Sequence, residues 1–147
     1  MVNLPSDYIV NTTLKVGRIY KLKAPELITT DIPHFFIVIG IDDDDNFMVL
    51  CTSQKEKKLK YFNNNHMDLE GLVFIKPSSE NQLTKKTYVD CNRYYEISRS
   101  SLKNKVESHS LEIKGEINLD IFYQIKQGIV NSDINDLPEF LIVHPDE

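Results

Sequence analysis

The sequence predicts an α+β fold, mostly β, in which short antiparallel strands form a small partial barrel and a helix near the C-terminus packs on it. Three observations predict it. Short alternating or continuous apolar runs recur between turn residues through the first hundred positions. The longest, Phe35 to Ile41, is aromatic and β-branched, as a strand buried on both faces requires. The clearest helical periodicity follows Gly115.

After a polar start, Val16-Gly17-Arg18-Ile19-Tyr20-Lys21-Leu22-Lys23 alternates apolar and charged residues, which sets its apolar members on one face of a strand that Pro25 ends. PHFFIVIGI at 33–41 is the buried strand. DDDDN at 42–46 turns the chain, because Asp and Asn accept turn geometry, and FMVLCTS at 47–53 completes a hairpin. QKEKKLK at 54–60 has no apolar periodicity beyond Leu59 and reads as a mobile basic loop. GLVFIKP at 71–77, TYVDC at 87–91 and RYYEIS at 93–98 read as further strands, and SRSSLKNKV as one turn of helix capped by Ser98 or Ser100. In the final helix Asn118 is the cap, Asp120 complements the N-terminal dipole, and Leu119, Phe122, Ile125 and Ile129 form the apolar stripe. The tail's Phe140, Leu141, Ile142 and Val143 either add an edge strand or dock on a partner.

At 147 residues the chain suits one domain, with a core over about 16–132 and a tail over 133–147. No apolar run approaches the ~20 residues that span a bilayer, and no leader pattern opens the chain, so it is expected to be cytoplasmic, away from membranes. Cys51 and Cys91 then read as reduced thiols in packed surroundings. A net charge of −5 gives no global attraction to nucleic acid, so any polyanion contact must come from a local patch. His66, His109 and His144 are too widely spaced for a zinc site, and Asp42 to Asp45 lacks the spacing of a calcium loop. With no phosphate-binding glycine loop, nucleophile elbow or dinucleotide fingerprint, neither a metal nor a cofactor is expected.

Several local sequences resemble the MazF/PemK toxins. GRIYKLKAP is similar to that family's opening strand, PHFFIVIG with FMVLCTSQ to its buried hairpin ending in Thr-Ser, and TYVDCNRYYEIS, SLKNKV and KGEINLDIFYQIKQGI to its late strands, turn and last helix. The likeness covers about Val16 to Ser132. It implies an SH3-like barrel and a homodimeric, metal-independent endoribonuclease that cleaves single-stranded RNA and is neutralised by a cognate antitoxin. Where the family has an Arg-Pro, whose guanidinium holds the scissile phosphate, this chain reads Ile32-Pro33-His34. The alternative is therefore a catalytically inactive module of the same fold that binds RNA or a protein. The fold's wider kinship adds a third reading, a phage-defence toxin of the ToxN type held by an RNA antitoxin.

Metal-free RNA cleavage needs a base for the 2′-OH proton, an acid for the leaving 5′ oxygen and donors for the charge on phosphorus. With the hairpin turn centred near residue 44, His34 should face roughly residue 54, which brings His34, Thr52 and Ser53 within side-chain reach. Lys85 completes the expected catalytic set. Lys85 and Lys86 either reach a phosphate or are simply solvated. Arg93, read as a strand residue flanking two tyrosines, either replaces the family's arginine or covers apolar surface. Lys55, Lys57, Lys58 and Lys60, followed by Tyr61 and Phe62, combine cations with aromatic rings, as single-stranded nucleic-acid grooves do.

Overall fold

The computed structural model describes residues 4–28, 32–44, 46–65 and 71–146, and for Cys51 and residues 53–59 the backbone alone. In chain order its elements are α1 (Ser6–Thr13), β1 (Arg18–Leu22), β2 (His34–Ile41), β3 (Asn46–Gln54), α2 (Lys55–Asn64), β4 (Leu72–Ile75), β5 (Thr87–Asp90), β6 (Tyr95–Ser98), α3 (Arg99–Glu107), β7 (Leu111–Glu116), α4 (Leu119–Val130) and a 3-10 turn (Glu139–Leu141). The expected class holds: seven strands in antiparallel ladders form one open sheet, ordered β4-β5-β3-β2-β1-β7, that curls like part of a barrel without closing. β6 lies off this path on β3.

β2 is buried on both faces, as its composition requires. Ile37 and Ile39 enter a main core with Ile19, Leu50, Val89 and the Phe122, Ile125 and Ile129 stripe of α4. Phe36 and Val38 enter a second core on the opposite face with Tyr20, Leu22, Phe47, Val10 of α1 and Leu102 of α3. The sheet is thus a middle layer between α4 and the α1/α3 pair. Both predicted caps form: Asn118 accepts from the Ile121 amide at 2.8 Å and Ser98 from the Ser101 amide at 3.1 Å, although α3 runs nine residues rather than one turn.

The hairpin turn is closed by Asp42, whose Oδ1 accepts from the Asp44 amide at 2.9 Å and the Asn46 amide at 3.0 Å. A bulge then shifts the β2–β3 register. Gly40 faces Met48, but Val38 faces Val49 and Phe36 faces Cys51, where the ladder ends. β3 changes partners along its length. Its first half pairs with β2 and β6, and Thr52 to Gln54 pair with β5.

Four expectations are corrected. Residues 55–60 are the first part of α2 rather than a loop: Lys and Glu favour a helix, and Leu59 and Phe62 lie three apart, with Phe62 fully buried. The start of the chain contains α1, whose β-branched residues disfavour a helix; it is held by burial of Val10, by the Arg18 Nε bond to the Thr13 carbonyl at 2.8 Å and by the Lys103–Asp7 ion pair to α3. Arg93 precedes β6 rather than lying in it. The tail forms no strand and docks on its own chain: Leu137 and Ile142 are buried, Leu141 packs on the main core, and the Leu141 carbonyl stands where a Cβ on Gly40 would be, 2.5 Å away. Phe140 remains 77% exposed. Cys91 is buried, as expected, and burial with Asp90 beside it pushes its thiol up to about 12. No helix among the described residues is long and apolar enough to cross a membrane.

Candidate functional site

His34 opens β2 and faces Leu22 of β1. Its Nδ1 lies 2.8 Å from the Ile32 carbonyl oxygen. A carbonyl only accepts, so Nδ1 donates, and in the neutral ring Nε2 is left as the proton acceptor. This is the tautomer that a general base requires.

The residues expected beside it are not all there. Strand alternation sets His34 in step with Phe36 and Val38, toward the second core, and Thr52 in step with Met48 and Leu50, toward the main core. Thr52 is 5% exposed and faces Val89. His34 and Thr52 therefore address opposite faces of the sheet and share no reaction centre. The shifted register points His34 toward Ser53 rather than residue 54, but the β2–β3 ladder stops before that position and Ser53 pairs with Tyr88. The Ser53 side chain lies outside what the structure describes.

Arg93 stands two residues before the last β6–β3 pair, across β3 from β2. Val49 faces Tyr95, and the same register carries Arg93 toward the Cys51 end of β3, the position that faces Phe36 on the other side. Two strand spacings, about 10 Å, then separate the backbones carrying Arg93 and Phe36. Side chains bridge part of that gap. Phe36 and Tyr95 meet edge to face with centroids 6.4 Å apart, and Arg93 interacts with Tyr95. That hydrogen bond, then the charges of Tyr95, Asp90 and Tyr61, raise the Arg93 pKa above its ordinary value. Arg93 is exposed, as is Tyr61, at 51%.

The lysines extend this corner. Gln54 faces Thr87, so continuing the β3–β5 register by one residue sets Lys86 beside Lys55, where α2 begins. Lys85 and Lys86 are exposed, and the Lys85 carbonyl accepts from the Thr87 hydroxyl at 2.8 Å. Lys85 is thus grouped with α2 rather than with His34. α2 carries Lys55, Lys57, Lys58 and Lys60 to Tyr61; Lys60 is exposed, Lys57 stands four positions before Tyr61, and the side chains of residues 55–59 are outside the description. Six lysines against Glu56 make this strip basic on a chain whose net charge is −5. His66 lies outside the described residues.

A cleft of about 650 Å3 lies elsewhere, between α3 and residues 23–26; of the two lysines that line it, Lys105 is committed to Glu26 at 2.7 Å and to the Lys23 carbonyl at 2.7 Å. Tyr95, which sequence reasoning did not single out, joins the candidate site through a cross-strand pair that only the β3–β6 register reveals. No protein-family model matches this chain, and no curated protein matches it.

Proposed function

We propose that this chain is a metal-independent endoribonuclease of the toxin type, cleaving single-stranded RNA on the sheet face that carries His34 and Arg93. One observation carries the reading: Arg93 interacts with Tyr61 of the lysine-rich α2 and with Tyr95, which packs edge to face on Phe36, two positions along β2 from His34. Lysines along the strip hold successive phosphates and Tyr61 offers a ring for base stacking. Arg93 supplies the guanidinium that the sequence lacks at Ile32-Pro33. His34 Nε2 takes the 2′-OH proton, the 2′ oxygen attacks phosphorus, the bond to the 5′ oxygen breaks, and water reprotonates the leaving oxygen. The products are a 2′,3′-cyclic phosphate and a 5′-hydroxyl. The nucleophile belongs to the substrate, so the scheme requires no metal.

The remaining features of the proposal rest on the sequence likeness: a cognate antitoxin as the neutralising partner and a homodimer as the working form. Of the tail residues behind the expected dimer, Leu141 and Ile142 are covered within the chain, whereas Phe140 and Val143 remain exposed. The second reading, a module that binds RNA without cutting it, is favoured by the separation of Thr52 from His34 on opposite faces.

Incubating a labelled single-stranded RNA with the protein in EDTA separates the readings. Cyclic-phosphate fragments that fall about 10²-fold or more with His34→Ala support the enzyme. Binding with no fragments leaves the module, and absence of binding refutes both.

A further inference from the structure

The segment that follows α4 holds the turn from which Arg93 projects. Ser132 Oγ donates to Asn92 Oδ1 at 2.6 Å, and Asn135 Nδ2 donates to the Cys91 carbonyl at 2.8 Å. The two anchors are themselves fixed. Ser132 Oγ accepts from the Ile134 and Asn135 amides at 3.2 and 3.1 Å, and Asn135 Oδ1 accepts from the Leu137 amide at 2.9 Å, tying both to buried Leu137. Asp136 lies near Tyr94, whose pKa is raised first by burial and then by Asp136 and Glu96. From below, the Asp90 carboxylate accepts from the Asn92 amide at 2.9 Å, and the Cys91 amide donates to the Gly71 carbonyl at 2.8 Å. Asn92 and Cys91, the two residues before Arg93, are therefore held by the C-terminal segment, 40 or more positions away in sequence.

From this geometry we infer that Ser132 and Asn135 are positioning residues for Arg93: the C-terminal segment sets the direction in which the guanidinium meets an RNA phosphate. The inference rests on the proposed RNA-binding role of the corner. An arginine on a free turn loses conformational entropy whenever it binds a phosphate, whereas one on a turn pinned from two sides has lost part of it on folding. The segment touches no residue of the α2 strip through these bonds, so its effect should pass through Arg93 alone.

The test measures affinity for a fluorescent single-stranded RNA against salt concentration, with thermal unfolding as a control. Arg93→Ala is expected to weaken binding about tenfold, in the range for a hydrogen bond to a charged group. It should also reduce the salt slope by about 0.7, the share of one phosphate contact on a single strand. Asn135→Ala and Ser132→Ala should each weaken binding severalfold and lower the same slope, whereas Ser132→Thr, which keeps the hydroxyl, should restore it. Asn135→Ala added to Arg93→Ala should have no further effect on affinity. A purely structural role for Asn135 would lower the melting temperature, leave the slope unchanged and add to Arg93→Ala. Weakened binding in Arg93→Ala with wild-type affinity and slope in both Asn135→Ala and Ser132→Ala overturns the positioning role and leaves the RNA reading standing. Wild-type affinity in Arg93→Ala removes the RNA reading at this corner and the inference with it.

Discussion

Gly40→Ala should destabilise the protein through the C-terminal segment, although alanine suits a strand better than glycine does. Gly40 is not in the left-handed region, so its backbone accepts a side chain. The obstacle is the Leu141 carbonyl oxygen, 2.5 Å from the new Cβ, with the Leu141 carbonyl carbon at 3.3 Å. Ordinary carbon–oxygen contacts begin at about 3.3 Å, so one partner must yield by roughly 0.8 Å. If the bulged strand yields, overpacking costs about 1–3 kcal/mol. If the segment lifts, Ile142 leaves a fully buried site, and its transfer out of the core costs about 1.5–3 kcal/mol. Both routes give about 1–3 kcal/mol, or roughly 2–12 °C in melting temperature for a chain of this size. Thermal unfolding followed by circular dichroism measures it. The control is the same substitution in a chain ending at residue 137: with the carbonyl gone, alanine should be neutral or stabilise by about 0.5–1 kcal/mol. Equal destabilisation in both backgrounds would show that the cost arises within the sheet, and the account of the docked segment would be wrong.

Three further outcomes follow from the face assignments and from burial. Thr52→Val should leave RNA cleavage unchanged and cost at most about 1 kcal/mol for a lost hydrogen bond, whereas His34→Ala should keep the melting temperature and lose about 10²-fold in rate; a cleavage defect in Thr52→Val would return Thr52 to the mechanism. Reversing Lys57, Lys58 and Lys60 to Glu should weaken RNA binding at 50 mM salt, with the effect fading as salt rises, since it acts through phosphate contacts; a salt-independent loss would indicate damage to α2. Alkaline pH should destabilise the fold: the Cys91 thiol, raised from 9.0 to about 12, and the Tyr20 hydroxyl, raised by burial, are protonated in the native protein, so their contribution is full below about pH 9 and falls as pH climbs toward 12. Urea titrations between pH 8 and 11 should show this decline, shallower in Cys91→Ala; an unchanged slope in that variant would mean the thiol is not the buried group that titrates.

The elements legible in the sequence were those whose cause is local. β2 announces itself because a strand covered on both faces must be apolar at every position, and α4 because its cap and stripe lie within fifteen residues of one another. The elements missed depend on distant partners. α1 has the β-branched composition of a strand and becomes a helix because Arg18, Val10 and the α3 face hold it. β7 was hidden by Gly115, which belongs there because the Glu80 carbonyl approaches so closely that a Cβ would lie 1.8 Å from it, an approach no single-sequence pattern encodes. α2 carries little apolar periodicity in its first turns, and the helix propensity of its lysines is the one local signal for it.

The candidate site was half legible for a related reason. Counting back from the DDDDN turn placed His34 near the end of β3 to within one residue, and the bulge at Gly40 accounts for that one. Counting did not reveal that β3 passes from one partner to another after Cys51. A strand that leaves β2 to pair with β5 ends the ladder on which the expected His34–Thr52–Ser53 cluster depends. The same departure leaves β2's first two residues outside the β2–β3 ladder. Thr52 meanwhile faces Val89 of β5, so one change of strand partner accounts for both halves of the missing cluster: His34 loses the β3 neighbours that the count from the turn gave it, and Thr52 is buried against another strand.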